Sequence, residues 1–281
     1  MVGGGYADVA PGEAVDATDM ALCLAESLVE RGGFDPEDVM GRYRTWFQSP
    51  PRDVTLTVRA TLLALTSGTP WDLASRRAYE ILGFPTAGNG SIMRCAPLAL
   101  RYLDDPAERR RASLRDSDLT HFDHLAGWSC AAFNDLVAAA LAGDLRGQLP
   151  ASAAALDDED PRVAGALRDA VDLEPDEVQV SAFVLDTLKA ALWAVLHRDS
   201  FEDAVVEIVN RGGDCDTVAA VTGTLAGALH GADAIPERWL ASLALRDRLE
   251  KAADGLAALA AEDHARHGGA APPPADQGDA T

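Results

Sequence analysis

The sequence has almost no lysine. Lys189 and Lys251 are the only two, and Lys and Arg together number 24 against 45 Asp and Glu, a formal net charge of -21. A chain so poor in cationic surface has little with which to hold the phosphate backbone of DNA or RNA, or an anionic membrane. Neither partner is expected. Cysteine is also scarce: Cys23, Cys95, Cys130 and Cys215 are scattered, with no zinc-ligand or thioredoxin-like spacing. That pattern suits a reduced, cytoplasmic protein. The start, Met1-Val2-Gly3-Gly4-Gly5, lacks the basic and apolar regions of a secretory signal. The longest uncharged small and apolar run, Val218 to Leu229, is too short to cross a bilayer and reads as a core helix.

Sustained polar–apolar alternation with clustered Val, Ile and Tyr is absent as well, so strands are not expected. Helical spacing recurs instead. Met20, Leu24 and Leu28 share one face before Gly32-Gly33, and Asp35-Pro36 opens a second helix ending at Pro50-Pro51. Further helices are read over 53–65, 71–82, 178–197 and 201–209, and a last one runs from about Ile235 to Ala260. An Ala-rich helix follows Thr120-His121. Residues 150–175 are acidic and poor in large apolar side chains, which suggests a surface excursion. The 281 residues, 48% of them hydrophobic, can bury a sizeable core. The expectation is an all-α, compact multi-helix bundle in one domain, residues 1–263. A disordered tail, 264–281, contains Pro272-Pro273-Pro274.

One octapeptide concentrates chemistry: Asn210-Arg211-Gly212-Gly213-Asp214-Cys215-Asp216-Thr217. Two glycines free the backbone to turn, and two carboxylates and a hydroxyl follow at the mouth of a small-residue helix. Such hard oxygen donors suit Mg²⁺ or Mn²⁺, but Asp214 or Asp216 could equally cap the helix. The stretch is not an EF-hand loop, because the sixth and twelfth positions counted from Asp214 are Ala219 and Leu225. Nor does it follow a strand, as an aspartyl-nucleophile phosphatase would require. Asp157-Asp158-Glu159-Asp160 reads as a solvated charge run. Asp16-Ala17-Thr18-Asp19 is a second acidic element at a helix start, where a cap or a ligand set are both open readings. Gly88-Asn89-Gly90-Ser91-Ile92-Met93-Arg94 is a glycine-rich turn able to bring backbone N–H groups to a phosphate. His121 could be a buried, hydrogen-bonded histidine or a donor to phosphate or ribose.

The order of these elements resembles the ADP-ribosylglycohydrolase family over about residues 12–245. Asp16 to Leu28, Asp186-Thr187-Leu188 with Ala190 to Trp193, and Ile235-Pro236 with Arg238-Trp239-Leu240 add to the likeness. The resemblance implies an all-α fold with a dinuclear Mg²⁺ or Mn²⁺ centre that hydrolyses ADP-ribosyl linkages of modified proteins or small molecules. By the same resemblance Asp16, Asp214 and Asp216 are catalytic. The metal is held by Asp16, Asp214, Asp216 and Thr217. Gly88, Asn89, Gly90, Ser91, Met93 and His121 contact the substrate.

Two departures stand out. The family's Thr-Asp-Asp-Thr metal motif reads Val15-Asp16-Ala17-Thr18, so two oxygen donors are replaced by side chains with none, and one firmly held ion is expected where relatives hold two. The family's early Gly-Asp-Ala motif and the glutamate after it have no counterpart, as though the usual N-terminal segment were missing. A catalytically weakened descendant that binds ADP-ribose, or serves a structural role, is therefore the alternative expectation. The acidic excess, with arginine and alanine abundant, reads as coding bias or salt adaptation. If it is salt adaptation, the melting temperature rises as salt screens self-repulsion. A flat response in a thermal melt up to high salt would contradict this.

Overall fold

The computed structural model describes residues 3–4 and 8–268. Its helices, in chain order, are α1 Asp16–Arg31, α2 Pro36–Gln48, α3 Leu56–Thr66, α4 Ala74–Leu82, α5 Pro97–Arg101, α6 Pro106–Asp118 and α7 His124–Leu141. There follow α8 Leu145–Ala154, α9 Pro161–Asp172, α10 Val184–His197, α11 Phe201–Val209, α12 Cys215–His230, α13 Glu237–Leu240 and α14 Arg246–Gly268. Among the described residues there is no strand, only the isolated bridges Gly4–Val9 and Gly88–Phe183. The all-α expectation holds.

Several helices begin at the same local signal, an Asp whose side chain accepts backbone N–H bonds before a Pro fixed at the first helical position. Asp35 accepts from Glu37 and Asp38, Asp105 from Glu108 and Asp160 from Arg162. Gly32 and Gly83 close α1 and α4 in the left-handed conformation, at φ 72° and 68°.

The sequence reading of the chain needs four corrections. Residues 53–55 are not helical: α3 starts at Leu56, which frees Asp53, Val54 and Thr55 as a loop. The supposed surface excursion holds α8 and α9. Small residues build the inner face of α9, where Val163, Ala164, Ala166, Leu167 and Ala170 are buried, so the scarcity of large side chains misled. Residues 178–183 form an extended loop before α10. The last helix is two, α13 and α14, and α14 runs to Gly268. Residues 264–268 of the expected tail are thus helical, and the rest of the tail lies outside the described residues.

The core centres on α7 and α10, which touch each other and also α9 and α12. Trp193 of α10 is fully buried, donates from Nε1 to the Leu173 carbonyl at 2.9 Å and carries the Arg198 and Arg211 guanidinium groups 4.9 and 4.8 Å from its ring centroid. The run 218–229 lies in α12 and packs against α7, α10 and α11. No helix among the described residues is long and apolar enough to cross a membrane. All four cysteines are free.

One charge sits at the centre of the apolar mass. Arg94 is completely buried, and so is its partner Asp116 on α6, with Nε 3.2 Å from Oδ2. The guanidinium also donates to the Gly90 carbonyl at 2.9 Å, the Asp116 carbonyl at 2.7 Å and Thr120 Oγ1 at 2.8 Å. It lies 5.0 Å from the centroid of the Tyr43 ring on α2. Removing one member of such a pair strands the other without solvent, at a cost of about 3–5 kcal/mol. Asp116→Ala should lower unfolding free energy by that order in a denaturant titration. Arg168→Ala, which breaks the solvent-exposed pair with Asp157, should leave it unchanged. Equal effects would contradict the assignment of Arg94 as the buried tie.

Candidate active site

Two loops and two helix starts converge. The turn 88–94 is held from one side by the loop 178–183: Asn89 N donates to the Ala182 carbonyl at 3.0 Å, and Val184 N donates to the Ala87 carbonyl at 3.0 Å. The same loop holds the entry to α12, because Asp214 N donates to the Val180 carbonyl at 3.3 Å. Gly213 has φ 66° there, and a Cβ on it would lie 2.1 Å from the Val180 oxygen. No side chain fits that approach, which is the physical reason for glycine before Asp214.

Asp214 is the first non-helical residue before α12, yet its side chain makes no cap bond to the helix. The carboxylate turns to the glycine-rich turn instead, where Oδ2 accepts from Asn89 Nδ2 at 2.6 Å. Asn89 is fully buried and also donates to Thr187 Oγ1 at 3.0 Å. The capping reading of Asp214 is thereby set aside. Burial raises the affinity of the Asp214 carboxyl for a proton, against the hydrogen bond from Asn89, and the nearby Asp216 charge adds to the rise.

Asp16 occupies the first turn of α1, and Val15 stands at the cap position without a side-chain bond. The Asp16 carboxylate is 3% exposed; it accepts from Ala17 N at 2.9 Å and Thr55 N at 3.2 Å. A capping box with Asp19 does not form, because Asp19 Oδ2 accepts from Trp46 Nε1 at 3.0 Å instead. Burial, then the charge of Asp53, pushes the Asp16 carboxyl up to about 7, with Asp216 contributing. The four carboxylates Asp16, Asp53, Asp214 and Asp216 therefore share one electrostatic neighbourhood. The helical spacing of 53–65 hides Asp53 as a site residue, because the helix itself begins only at Leu56. The signal that could have found it is Pro50-Pro51, which breaks the chain and makes a short polar loop before Leu56.

The described residues contain no group of three or more His, Cys, Asp or Glu side chains arranged to hold a metal ion. Asp216 is exposed, Asp214 half-buried and Thr217 buried at 4% exposure. The donors are the right hard oxygens, and the negative charge of Asp216 bears on both Asp16 and Asp214.

The turn itself divides into two faces. Ile92, Met93 and Cys95 belong to the core, so Met93 supports the turn from beneath. Ser91 Oγ also points inward, accepting from Ser117 Oγ at 2.9 Å and lying 3.3 Å from Cys130 Sγ. Gly88 and Gly90 form the other face. A Cβ on Gly88 would stand 3.6 Å from His121 Nε2, and one on Gly90 would stand 2.7 Å from Thr55 Oγ1 and 3.0 Å from His121 Cε1. His121 is 1% exposed and held neutral, because burial, then the Arg94 charge, depresses its pKa to about 3. Its Nδ1 lies 2.8 Å from Thr120 Oγ1, while its Nε2 is buried with no partner. Of the two sequence readings of His121, the buried, hydrogen-bonded histidine is met at Nδ1. One ring nitrogen is hydrogen-bonded inside the core and the other is unmatched beside the turn. Thr55 Oγ1 and Thr86 Oγ1 are likewise buried and unmatched, and both border this turn. Buried polar atoms without partners are rare, and three at one turn mark a place for a polar ligand or ordered water.

Residues 1–266 match the profile of the family described as ADP-ribosylglycohydrolase. The chain is 34% identical over 272 residues to the ADP-ribosyl-dinitrogen reductase glycohydrolase of Rhodospirillum rubrum, covering 94% of this chain and 85% of that protein. It is 33% identical over 275 residues to ADP-ribosylarginine hydrolase Tri1 of Pseudomonas putida (strain GB-1), covering 91% and 69% of the two chains. A solved ADP-ribosylglycohydrolase-related protein complex superposes with a TM-score of 0.75 at 35% identity, over 92% of this chain and 86% of that one. The helical fold is that of the solved ADP-ribosylglycohydrolase-related protein. The chain belongs to the ADP-ribosylglycohydrolase family.

Gly213→Ala should separate local from global effects. Its Cβ clash and left-handed φ displace the Asp214 carboxylate from Asn89, so stability falls by about 1–3 kcal/mol while the helix content persists. A melting temperature unchanged from the wild type would contradict the close approach to Val180.

Proposed function

We propose that the chain is a metal-dependent hydrolase that removes ADP-ribose from a modified protein or a related ADP-ribosyl compound. The observation that carries this reading is the 2.6 Å bond from Asn89 to Asp214, which fastens the ligand-cradling turn to the carboxylates of α12. The unmatched Nε2 of His121 stands on the cradle's side. The diphosphate of ADP-ribose suits the Gly88–Ser91 backbone and that side-chain donor. The ribose joined to the scissile bond would then face the carboxylates.

The donor set fits a divalent cation in chemistry and charge. Asp214, Asp216 and Thr217 would hold it, with Asp16 reaching from α1; Val15 and Ala17 offer no side-chain oxygen. Because Val15 and Ala17 remove two oxygen donors beside Asp16, one ion is the reading favoured over two. When bound, such an ion supplies Lewis acidity and lowers the pKa of a coordinated water. The protein's own part is to bind and to orient. The turn and His121 fix the diphosphate, and Asn89 fixes the rotamer of Asp214. The burial of Asp16 and Thr217 keeps bulk water from their atoms. Because the Pseudomonas putida relative is named as an ADP-ribosylarginine hydrolase, arginine-linked ADP-ribose is the first substrate to try.

The test is release of ADP-ribose from an ADP-ribosylated protein with Mg²⁺ or Mn²⁺, and its loss on chelation. No turnover by the folded protein under these conditions would overturn the hydrolase reading. Calorimetry with Mn²⁺ adds a readout independent of activity. Asp216→Ala should weaken metal binding more than Asp16→Ala, because Asp16 lacks donors at its neighbours Val15 and Ala17. Equal affinities would contradict this. Val15 and Ala17 also favour a second reading, a binding module without catalysis. ADP-ribose that raises the melting temperature equally with and without divalent metal would support that reading.

A further inference from the structure

The unmatched nitrogen of His121 has a defined chemical character, and the residues behind it set that character. An arginine guanidinium donates hydrogen bonds and never accepts them. Arg94 Nη1 lies 2.8 Å from Thr120 Oγ1, so that oxygen accepts from Arg94. Thr120 is fully buried, and the other partner of its hydroxyl is His121 Nδ1 at 2.8 Å. If Nδ1 carried the ring proton, Thr120 Oγ1 would accept twice and its own hydrogen would have no acceptor. The Nε2 lone pair would be unmatched as well. If Nδ1 accepts, every group in the chain is matched except the Nε2–H. The second arrangement leaves one buried polar group unmatched instead of two, and each such group costs about 1–3 kcal/mol.

We infer that Arg94, acting through the Thr120 hydroxyl, locks neutral His121 as the Nε2–H tautomer and thereby makes it a hydrogen-bond donor to the ligand bound at the Gly88–Gly90 turn. Arg94 and Thr120 are positioning residues in this account; neither touches the ligand. The backbone is built to keep the relay in register. Thr61 Oγ1 donates to the Thr120 carbonyl at 3.0 Å, and His121 N donates to the Ser117 carbonyl at 2.8 Å. The same guanidinium also fixes the Gly90 carbonyl at 2.9 Å. The permanently charged Arg94 thus sets both the shape of the turn and the proton position on the ring beside it. An acceptor at this spot, such as a phosphate oxygen, is favoured; a ligand group that only donates is rejected.

The role of the donor rests on the ADP-ribose reading above, but the tautomer does not, and the two can be tested apart. Long-range ¹⁵N–¹H correlation spectra of the histidine-labelled, ligand-free protein report the tautomer directly. The expected result is a proton on Nε2 and none on Nδ1 of His121. A protonated Nδ1 overturns the inference, whatever the protein binds. Thr120→Val keeps the shape of the side chain and removes the hydroxyl, so the spectrum should show a mixture containing the Nδ1–H form. ADP-ribose affinity measured by calorimetry should fall about tenfold, the size of one lost hydrogen bond. Thr120→Ser should restore both. A folded Thr120→Val variant that keeps the Nε2–H form and full affinity overturns the relay. Should Thr120→Val fail to fold, the wild-type and Thr120→Ser spectra still decide the tautomer, which must be Nε2–H in both. A correct tautomer with no ADP-ribose binding by the wild type would leave the relay standing and remove the function reading.

Discussion

The buried charge of Arg94 is the constraint on which the rest of the site depends. A guanidinium with no solvent contact must find its partners inside the protein. It finds them in three segments of the chain: the face of Tyr43 on α2, the Gly90 carbonyl in its own turn, and Asp116 and Thr120 at the end of α6 and just beyond it. Meeting these demands fixes how α2, the turn and the end of α6 lie against one another. The polar face of the turn and the ring of His121 then follow as consequences. A buried ion pair of this kind is poor evidence for net stability compared with a well-packed apolar alternative. Its presence under the glycine-rich turn is better understood as geometry held for the turn's shape.

A second constraint acts on the opposite side. The loop 178–183 has few side-chain contacts of its own that matter to chemistry, yet its carbonyls hold both halves of the site. Ala182 takes the Asn89 amide, and Val180 takes the Asp214 amide. Asn89 and Asp214 are 125 positions apart and meet at 2.6 Å because this loop aligns them. The repulsion among Asp16, Asp53, Asp214 and Asp216 is unfavourable to folding, and the neighbouring N–H donors and the solvent at Asp216 offset part of it. A divalent cation would relieve it directly.

Much of this was legible in the residues. Gly213 before Asp214, Asn89 between two glycines, and the Asp-Pro openings of the helices are local signals with local physical causes. The all-α class followed from the recurrence of helical spacing. What could not be read was long-range. Nothing near Asp53 in the sequence shows that its loop lies beside Asp16 and Asp214. Nothing near Met93 or Ser91 shows that their side chains turn inward, away from the face formed by Gly88 and Gly90. Small residues hid α9, because an Ala-rich helix can be as buried as a Leu-rich one. The tautomer of His121 depends on a guanidinium 27 positions earlier, and only the three-dimensional arrangement shows it.

The central claim is that the turn, His121 and the first residues of α12 form a single site for ADP-ribose. Titration with ADP-ribose, followed by backbone amide chemical shifts, tests it most directly. The account predicts that the shifts concentrate at Gly88, Asn89, Gly90, Ser91, His121 and Asp214 through Thr217, with one saturation curve for all of them. Shifts confined to another surface, or none at saturating ligand, would contradict it.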